Sequence, residues 1–330
     1  MRNIKLITTS TIIFIAILFV GVILFLAKSP QSKTIYISGA IENNIWAYEF
    51  KRAAEYLNKY GIQPKLIETS GPIEVAALLS DPKSKLNAAF IFDGLLTQVQ
   101  AENLYSLGSF GFDPIWIFYN DKVVDNLSSI EDIAKQKVLL GPKESDSYAL
   151  TKKLFELNGI NIDKNPNFIS LPLEERLTAF LSGKAGVMVY SGPFSADAIK
   201  QSFDAGNKLF EIPNIDNYTT KSNFIVLTLP AGSMDVNGTM PAKDTKLLAT
   251  TTLLAVKKDL DPALQVGMLM TAAKMIRKNP FKFDGTSIVF PAPMFQSSLE
   301  TSPTARKYYD EGPPALIKLF PWLLPYWPFW

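Results

Sequence analysis

The sequence predicts an α/β protein of two lobes joined by two crossover strands. Three observations predict it. Short apolar runs ending at Gly, Ser or Asp alternate with helical periodicity in two separate stretches; a strongly apolar run, Ile115 to Tyr119, belongs to neither stretch; and 330 residues, 47% hydrophobic and 19% charged, suffice for two cores.

The first stretch opens at Thr34 to Ile37 (TIYI), which leads into Ser38-Gly39-Ala40. Ile45 to Tyr60 has the spacing of an amphipathic helix, capped by Asn43 or Asn44 and stopped by Gly61. Pro64 to Thr69 reads as a second strand, and Pro72 sets the first turn of a helix after Ser70-Gly71. Ala88 to Phe92 (AAFIF) is a third strand, ending at Asp93-Gly94. Strand and helix alternate as in a parallel unit, whose loops gather on one edge.

The segment Leu104 to Asn120 leaves that unit and reads as the first crossover. Ser128 or Ser129 with Glu131 or Asp132 makes a capping box for a short helix. The second unit is organised around Val138 to Gly159, a buried strand, a tight Gly141-Pro142 loop and a helix. Its strand-loop-helix form suits a small polar ligand, because a helix start offers unpaired N–H groups and a partial positive charge. Ser145, Asp146 or Ser147 equally suits a plain helix cap. Phe168 to Ser170, Pro172 to Leu181 and Ala185 to Tyr190 complete the unit, ending at Ser191-Gly192-Pro193. Phe224 to Leu229 reads as the return crossover, Leu253 to Val256 as one more strand, and Asp261-Pro262 as the start of a helix.

The resulting division is an N-terminal segment over 1–32, a first lobe over 33–115 and 229–300, a second lobe over 116–228, and a C-terminal segment over 301–330. Leu6 to Ala27 carries no charge and is long enough to span a bilayer. Phe25-Leu26-Ala27 lacks the small-x-small pattern of a cleavage site, so an uncleaved anchor is expected. The C-terminal FPWLLPYWPFW fits contact with a lipid bilayer or a partner, or a chain that continues into a second span.

Composition excludes several chemistries. The chain contains neither Cys nor His, which removes disulfides, thiolate nucleophiles and imidazole bases. Acids and bases nearly balance beyond residue 32, so no nucleic-acid partner is expected. Neither a metal site nor a cofactor is expected. Ser145 or Ser191 with a lysine is a conceivable nucleophilic arrangement, but no motif sets such a pair and serines in these loops are more often caps, so an enzyme is not expected.

The sequence resembles the TAXI class of receptors of tripartite ATP-independent periplasmic (TRAP) transporters, in its membrane-tethered branch. The resemblance rests on Leu107-Gly108-Ser109 with Pro114 to Tyr119, Gly141-Pro142 through Asn158-Gly159-Ile160, Leu254 to Ala263 (LAVKKDLDPA), and Tyr308-Tyr309 through Gly312-Pro313-Pro314. It implies the type II periplasmic-binding-protein fold behind an N-terminal transmembrane helix. It also implies capture of a small polar solute between the lobes, permease subunits as partners, and a body outside the cytoplasmic membrane. The ligand edge would carry Gly39, Asn43, Asn44, Thr69, Ser70, Gly71 and Asp93 from the first lobe. The second would give Tyr119, Ser145, Asp146, Ser147, Tyr190 and Ser191.

Departures from the family's pattern bear on the ligand. Ser145-Asp146-Ser147 stands where the family has Ser-Gly-Thr, and a carboxylate docked there would face Asp146. Arg occurs only at positions 2, 52, 176, 277 and 306, none in a ligand loop, so no carboxylate clamp is expected. A neutral, zwitterionic or cationic solute is therefore favoured over a dicarboxylate. The competing reading is a receptor-derived sensor or assembly module that no longer captures a solute.

Overall fold

The computed structural model describes Gly21 and residues 34–40, 45–275, 279–293 and 297–326. The expected anchor, Leu6 to Ala27, lies outside the described residues but for Gly21, as do Asn43 and Asn44. Among the described residues no helix is long and apolar enough to cross a membrane.

The first lobe begins with β1 (Thr34–Ala40), α1 (Ile45–Lys59), β2 (Gln63–Thr69), α2 (Pro72–Ser80) and β3 (Ala88–Phe92). β1 pairs in parallel with β2 from Thr34↔Gln63 to Ala40↔Thr69, and with β3 at Ile37↔Ala88. The C-terminal ends of all three strands therefore share one edge. A short α3 (Gln98–Ala101) then leads into β4 (Leu104–Tyr119), 16 residues long.

The second lobe repeats the plan. It runs through α4 (Ile130–Ala134), β5 (Val138–Leu140), α5 (Asp146–Leu157), β6 (Phe168–Ser170), α6 (Leu173–Leu181) and β7 (Val187–Ser191). β5 pairs in parallel with both β6 and β7. Then come α7 (Asp197–Asp204), β8 (Lys208–Leu209), α8 (Asp216–Thr219), β9 (Ile225–Leu229) and β10 (Thr245–Lys257). The chain closes through α9 (Pro262–Lys274), β11 (Lys282–Phe283), β12 (Thr286–Ser287), α10 (Pro303–Glu311), α11 (Ala315–Leu319) and a 3₁₀ turn, Pro321–Tyr326.

Two long strands join the lobes. β10 runs antiparallel to β3 over Thr252 to Val256 and to β4 over Ala249 to Lys257, giving the first lobe the order β2-β1-β3-β10-β4. β4 in turn runs antiparallel to β7 from Ile115↔Ser191 to Tyr119↔Val187, giving the second lobe the order β6-β5-β7-β4-β8. The ladder on β4 passes from β10 to β7 between Pro114 and Ile115. Register shifts on either side of Leu253 mark bulges near that junction, and bulges bend and twist a strand.

This pairing corrects the sequence reading of the return path. Phe224 to Leu229 is not the crossover: β9 forms an antiparallel ladder with the first part of β10, from Ile225↔Ala249 to Leu229↔Thr245. Leu253 to Val256 is not a separate strand but the far end of β10, which makes the return.

Strand alternation sends side chains to two layers in each lobe. In the first, Ile35, Ile37, Leu254 and Val256 pack with Leu57 of α1 and Leu264 and Leu269 of α9. Ala89, Ile91, Leu253 and Ala255 pack on the other side with Val75 and Leu79 of α2. In the second lobe Ile117, Val138, Leu140, Val187 and Val189 meet Leu150, Leu154 and Phe155 of α5. Trp116, Phe118, Leu139 and Met188 meet Phe180 of α6 and Ile199 of α7.

The C-terminal segment is partly built into this core. Ile317 and Leu324 are fully buried in the first-lobe layer beside α9, and the Tyr309 hydroxyl donates to the Leu107 carbonyl at 2.9 Å. Leu316, Leu319, Phe320 and Trp322 remain exposed. The segment thus has one face docked on the lobe and one face open.

Phe155 is fully buried and meets Phe168 edge to face, with ring centroids 4.9 Å apart. Phe155→Ala is expected to lower the stability of the second lobe by about 3–5 kcal/mol, measured by urea unfolding. A loss below about 1 kcal/mol would contradict the packing described.

Candidate functional site

The parallel units place two strand edges opposite each other, with β4 and β10 as the floor between them. From the first lobe come the ends of β1 and β2 at Gly39-Ala40 and Thr69, the turn Ser70-Gly71, and Asp93-Gly94 after β3. From the second come Gly141 to Ser147 and Tyr190 to Gly192.

The two lips touch. Gly71 has φ +154°, and a Cβ there would overlap the carbonyl of Glu144 in the facing lobe. Both the backbone conformation and the close approach require glycine. Gly94 forms the second contact, since a Cβ at that position would lie 2.7 Å from Asn223 Oδ1 and 2.7 Å from Lys153 Nζ. The two lips are thus in contact at both points.

Asp93 is buried at the back of this contact, 2% exposed. Its Oδ1 accepts from the Ser298 amide (3.0 Å) and hydroxyl (2.8 Å), and its Oδ2 accepts from Asn223 Nδ2 at 3.3 Å. Its backbone is held to β10, the amide donating to the Thr251 carbonyl and the carbonyl accepting from the Thr250 hydroxyl. Lys153 of α5 faces it. Burial draws the Lys153 ammonium below its ordinary range while the Asp93 charge opposes that shift.

Ser145 is the N-cap of α5, as one of the two sequence readings has it. Its Oγ accepts from the Tyr148 amide at 3.2 Å and donates to the Pro142 carbonyl at 2.7 Å. Ser147 is buried, and its Oγ accepts from the Ser191 amide at 2.9 Å, which ties the helix start to the end of β7. Ser191 Oγ is buried without a hydrogen-bond partner. Ser70 is exposed and donates through both its amide and its hydroxyl to Glu74, each at 2.7 Å.

Two carboxylates lie near enough for their charges to interact, Asp113 on the floor and Asp146 on the second-lobe lip. Asp113, on β4 beside the junction, accepts from the Thr252 hydroxyl of β10 at 2.6 Å. Desolvation pushes its carboxyl up from 3.8 to about 6, the Thr252 bond acting in the opposite sense. Asp146, in the first turn of α5, is open to solvent but crowded by protein. Desolvation raises it to about 6 as well, and the Asp113 charge adds to the rise.

The sequence reading placed no arginine in a ligand loop, and Arg176 indeed lies within helix α6, behind the second-lobe loops. Arg176 of α6 is 2% exposed, with its Nη1 donating to the Val189 carbonyl at 3.2 Å. Its guanidinium carbon lies 5.6 Å from the centre of the Tyr190 ring, and Nη1 comes within 3.2 Å of where a Gly141 Cβ would sit. Burial lowers its pKa to about 10, so it stays cationic at neutral pH. The signal was in the sequence: Arg176 stands one helical turn before Phe180, on the buried face.

Tyr119 is not brought to this site. The antiparallel register sets it beside Val187, about 13 Å along the strand from Ile115. Gly39 lies on the correct edge, paired with Glu68. Thr69 is buried at the end of β2. Lys153, Asn223, Thr252 and Arg176 join the site without having been singled out as ligand-binding residues.

No protein-family model matches this sequence, and no curated protein matches it. Several solved structures are similar in outline. A periplasmic sulfonate-binding protein of an ABC transporter, SsuA from Methylobacillus flagellatus KT, shares 15% identity over 74% of this chain and 68% of its own, with a TM-score of 0.43. Arginine-bound, truncated ArgBP from T. maritima shares 10% identity over 74% of this chain and 96% of its own, with a TM-score of 0.41. A histidine kinase sensor domain with similarity to periplasmic binding proteins shares 12% identity over 74% and 91%, with a TM-score of 0.43.

The Asp113 carboxyl makes a signed pH prediction. Between 3.8 and about 6 the folded chain keeps a proton that the unfolded chain releases, so stability falls as pH rises through that window and stays lower above it. Asp113→Asn removes this loss while keeping an acceptor for Thr252. Its thermal midpoint is expected to exceed the parent's at pH 7 and to converge on it below pH 4. A midpoint lower than the parent's at pH 7 would contradict the burial argument.

Proposed function

We propose that this chain is a membrane-tethered, extracytoplasmic solute receptor. It captures a small polar solute between its two lobes and presents the closed form to the subunits of a TRAP-type permease. The observation that carries this reading is the convergence of Asp113, Asp146, Tyr190 and Thr252 on a floor made of the two crossover strands, beneath lips that meet at Gly71 and Glu144. Two α/β bodies hinged on paired strands can close on a ligand, and a partner can recognise the closed shape. The tether rests on the apolar Leu6 to Ala27 segment. The TRAP partnership rests on the sequence resemblance. Asp113 and Asp146 favour a solute with a cationic group, whose charge would offset their mutual repulsion.

The second reading is a receptor-derived sensor or assembly module. It is favoured by the way Asp93, Ser145, Ser147 and Ser70 already make their hydrogen bonds to protein groups.

The test is thermal unfolding of the full chain in mild detergent against amino acids, dicarboxylates, polyamines and sugars. A ligand bound only by the folded form raises the midpoint in proportion to the logarithm of its concentration over Kd. The receptor reading expects a shift from one chemical class. No shift from any class, in protein shown to be folded by circular dichroism, selects the second reading. Gly71→Ala obstructs the closed lips, so it is expected to weaken binding about tenfold or more, measured by calorimetry.

A further inference from the structure

The first strand and the C-terminal 3₁₀ turn meet at one pole of the first lobe. β1 starts at Thr34, whose partner in the parallel ladder is Gln63, and Gln63 follows the Gly61-Ile62 turn after α1. The 3₁₀ turn is pinned to that same place. A Cβ at Gly61 would lie 3.2 Å from Pro325 Cγ and 3.5 Å from the Trp322 carbonyl oxygen, and one at Gly267 of α9 would overlap Ile62 Cδ1 and lie 3.2 Å from Leu324 Cδ2. Strand spacing of about 4.8 Å and two residues of chain at about 3.5 Å each put Gly61 within about 12 Å of Thr34. This is the end of the parallel strands opposite the lips of the cleft.

That pole carries an open apolar face. Leu316, Leu319, Phe320 and Trp322 are all exposed, Leu319 at 72% and Trp322 at 56%, whereas Ile317 and Leu324 of the same segment are fully buried. The other exposed large apolar residues of the described surface stand singly along the chain, as ordinary surface residues do. Charge sets the segment apart as well. Lys318 is the only charged residue over 312–330, and no acid precedes Glu42, whereas Arg2, Lys5, Lys28 and Lys33 do. An acid-free run of Leu, Phe and Trp with a lysine is the composition of an interfacial segment, whose rings sit at the level of the lipid headgroups.

We propose that this face rests on the lipid bilayer beside the N-terminal apolar segment, so that the first lobe is held to the membrane at two points and the second lobe is the one that moves. This rests on the tethered reading of Leu6 to Ala27 and adds a second contact to it. Only Lys28 to Lys33 separate that segment from Thr34, and at no more than about 3.6 Å per residue they keep Thr34 within about 25 Å of its end. The face around Trp322 shares the pole with Thr34, so the tether holds it at the bilayer surface. At the high effective concentration that a short tether gives, a modest interfacial affinity suffices. Lys28, Lys33 and Lys318 suit anionic headgroups.

The experiment uses the full chain reconstituted into vesicles of phosphatidylcholine with phosphatidylglycerol. Because the chain has no cysteine, Leu319→Cys and, in parallel, Leu316→Cys take a spin label without background, with Val236→Cys in the exposed loop after β9 as the reference. Power-saturation electron paramagnetic resonance compares collisions with oxygen, which partitions into lipid, and with a water-soluble nickel chelate. The expected result is that the labels at 316 and 319 lie about 5–10 Å below the headgroup plane while the label at 236 reads as water-exposed. Labels at 316 and 319 in water, on a chain that stays with the vesicles through alkaline carbonate extraction, would overturn the bilayer contact and leave the tether standing. Labels shielded from both reagents and broadened by one another would make the face a contact between two copies of the chain, which also overturns the proposal. A chain stripped from the vesicles by carbonate would overturn the tether and the proposal together.

Discussion

The structure depends on two long strands that each serve both lobes. β4 and β10 pair with each other where the lobes meet, and each also closes the parallel unit of one lobe as its antiparallel strand. Neither lobe could complete its sheet without a strand that the other lobe shares. This fixes where the lobes can move, because ladder hydrogen bonds over many residues are stiff and the bulges beside Leu253 concentrate bending at the junction. Asp113 and Thr252 hydrogen-bond to each other across the two strands at that junction, so the polar floor of the cleft sits where the strands pass between the lobes.

The contacts across the cleft follow from the same geometry. Parallel pairing aligns the strand ends of each lobe, and the turns after them meet as two edges. Glycine at 71 and 94 lets backbone approach backbone or a lysine tip, while Asp93, Lys153 and Asn223 link the lobes through polar contacts. Such contacts cost little to break compared with an apolar interface, because each group regains water on opening. The charges of the cleft are spread: Arg176 is buried in the second lobe, Asp113 lies on the floor, and Asp93 and Asp146 stand on the two lips.

Much of the fold was legible in the sequence because its central strands are largely buried and read as apolar runs. AAFIF, VLL and the apolar run before Tyr119 all fall on strands, and Pro72 and Pro262 mark helix starts. The return crossover was not legible. FIVLTL is the more apolar run, but it sits outside β10, whereas the true crossover contains Thr250, Thr251 and Thr252, which are polar in sequence and buried in the structure. The site was read in part. Loops after strands pointed to Asp93 and Ser145 to Ser147, since strand ends of a parallel sheet must converge. Arg176 was missed because a charge inside LEERLTAFL looks like one of several on a solvent face; only its phase with Phe180 betrays burial. Tyr119 was included because a strand end was taken for the cleft end, and only the pairing register reveals that β4 runs away from it.

The central claim is that the two lobes close on a solute. Because the chain has no cysteine, single cysteines can be introduced at the exposed Lys83 of the first lobe and Lys164 of the second and spin-labelled without background. Pulsed electron paramagnetic resonance then reads the distance between lobes with and without the solute that most raises the thermal midpoint. The account predicts a broad distribution that narrows to one closed distance when the solute is added. An unchanged distribution at saturating solute would contradict it.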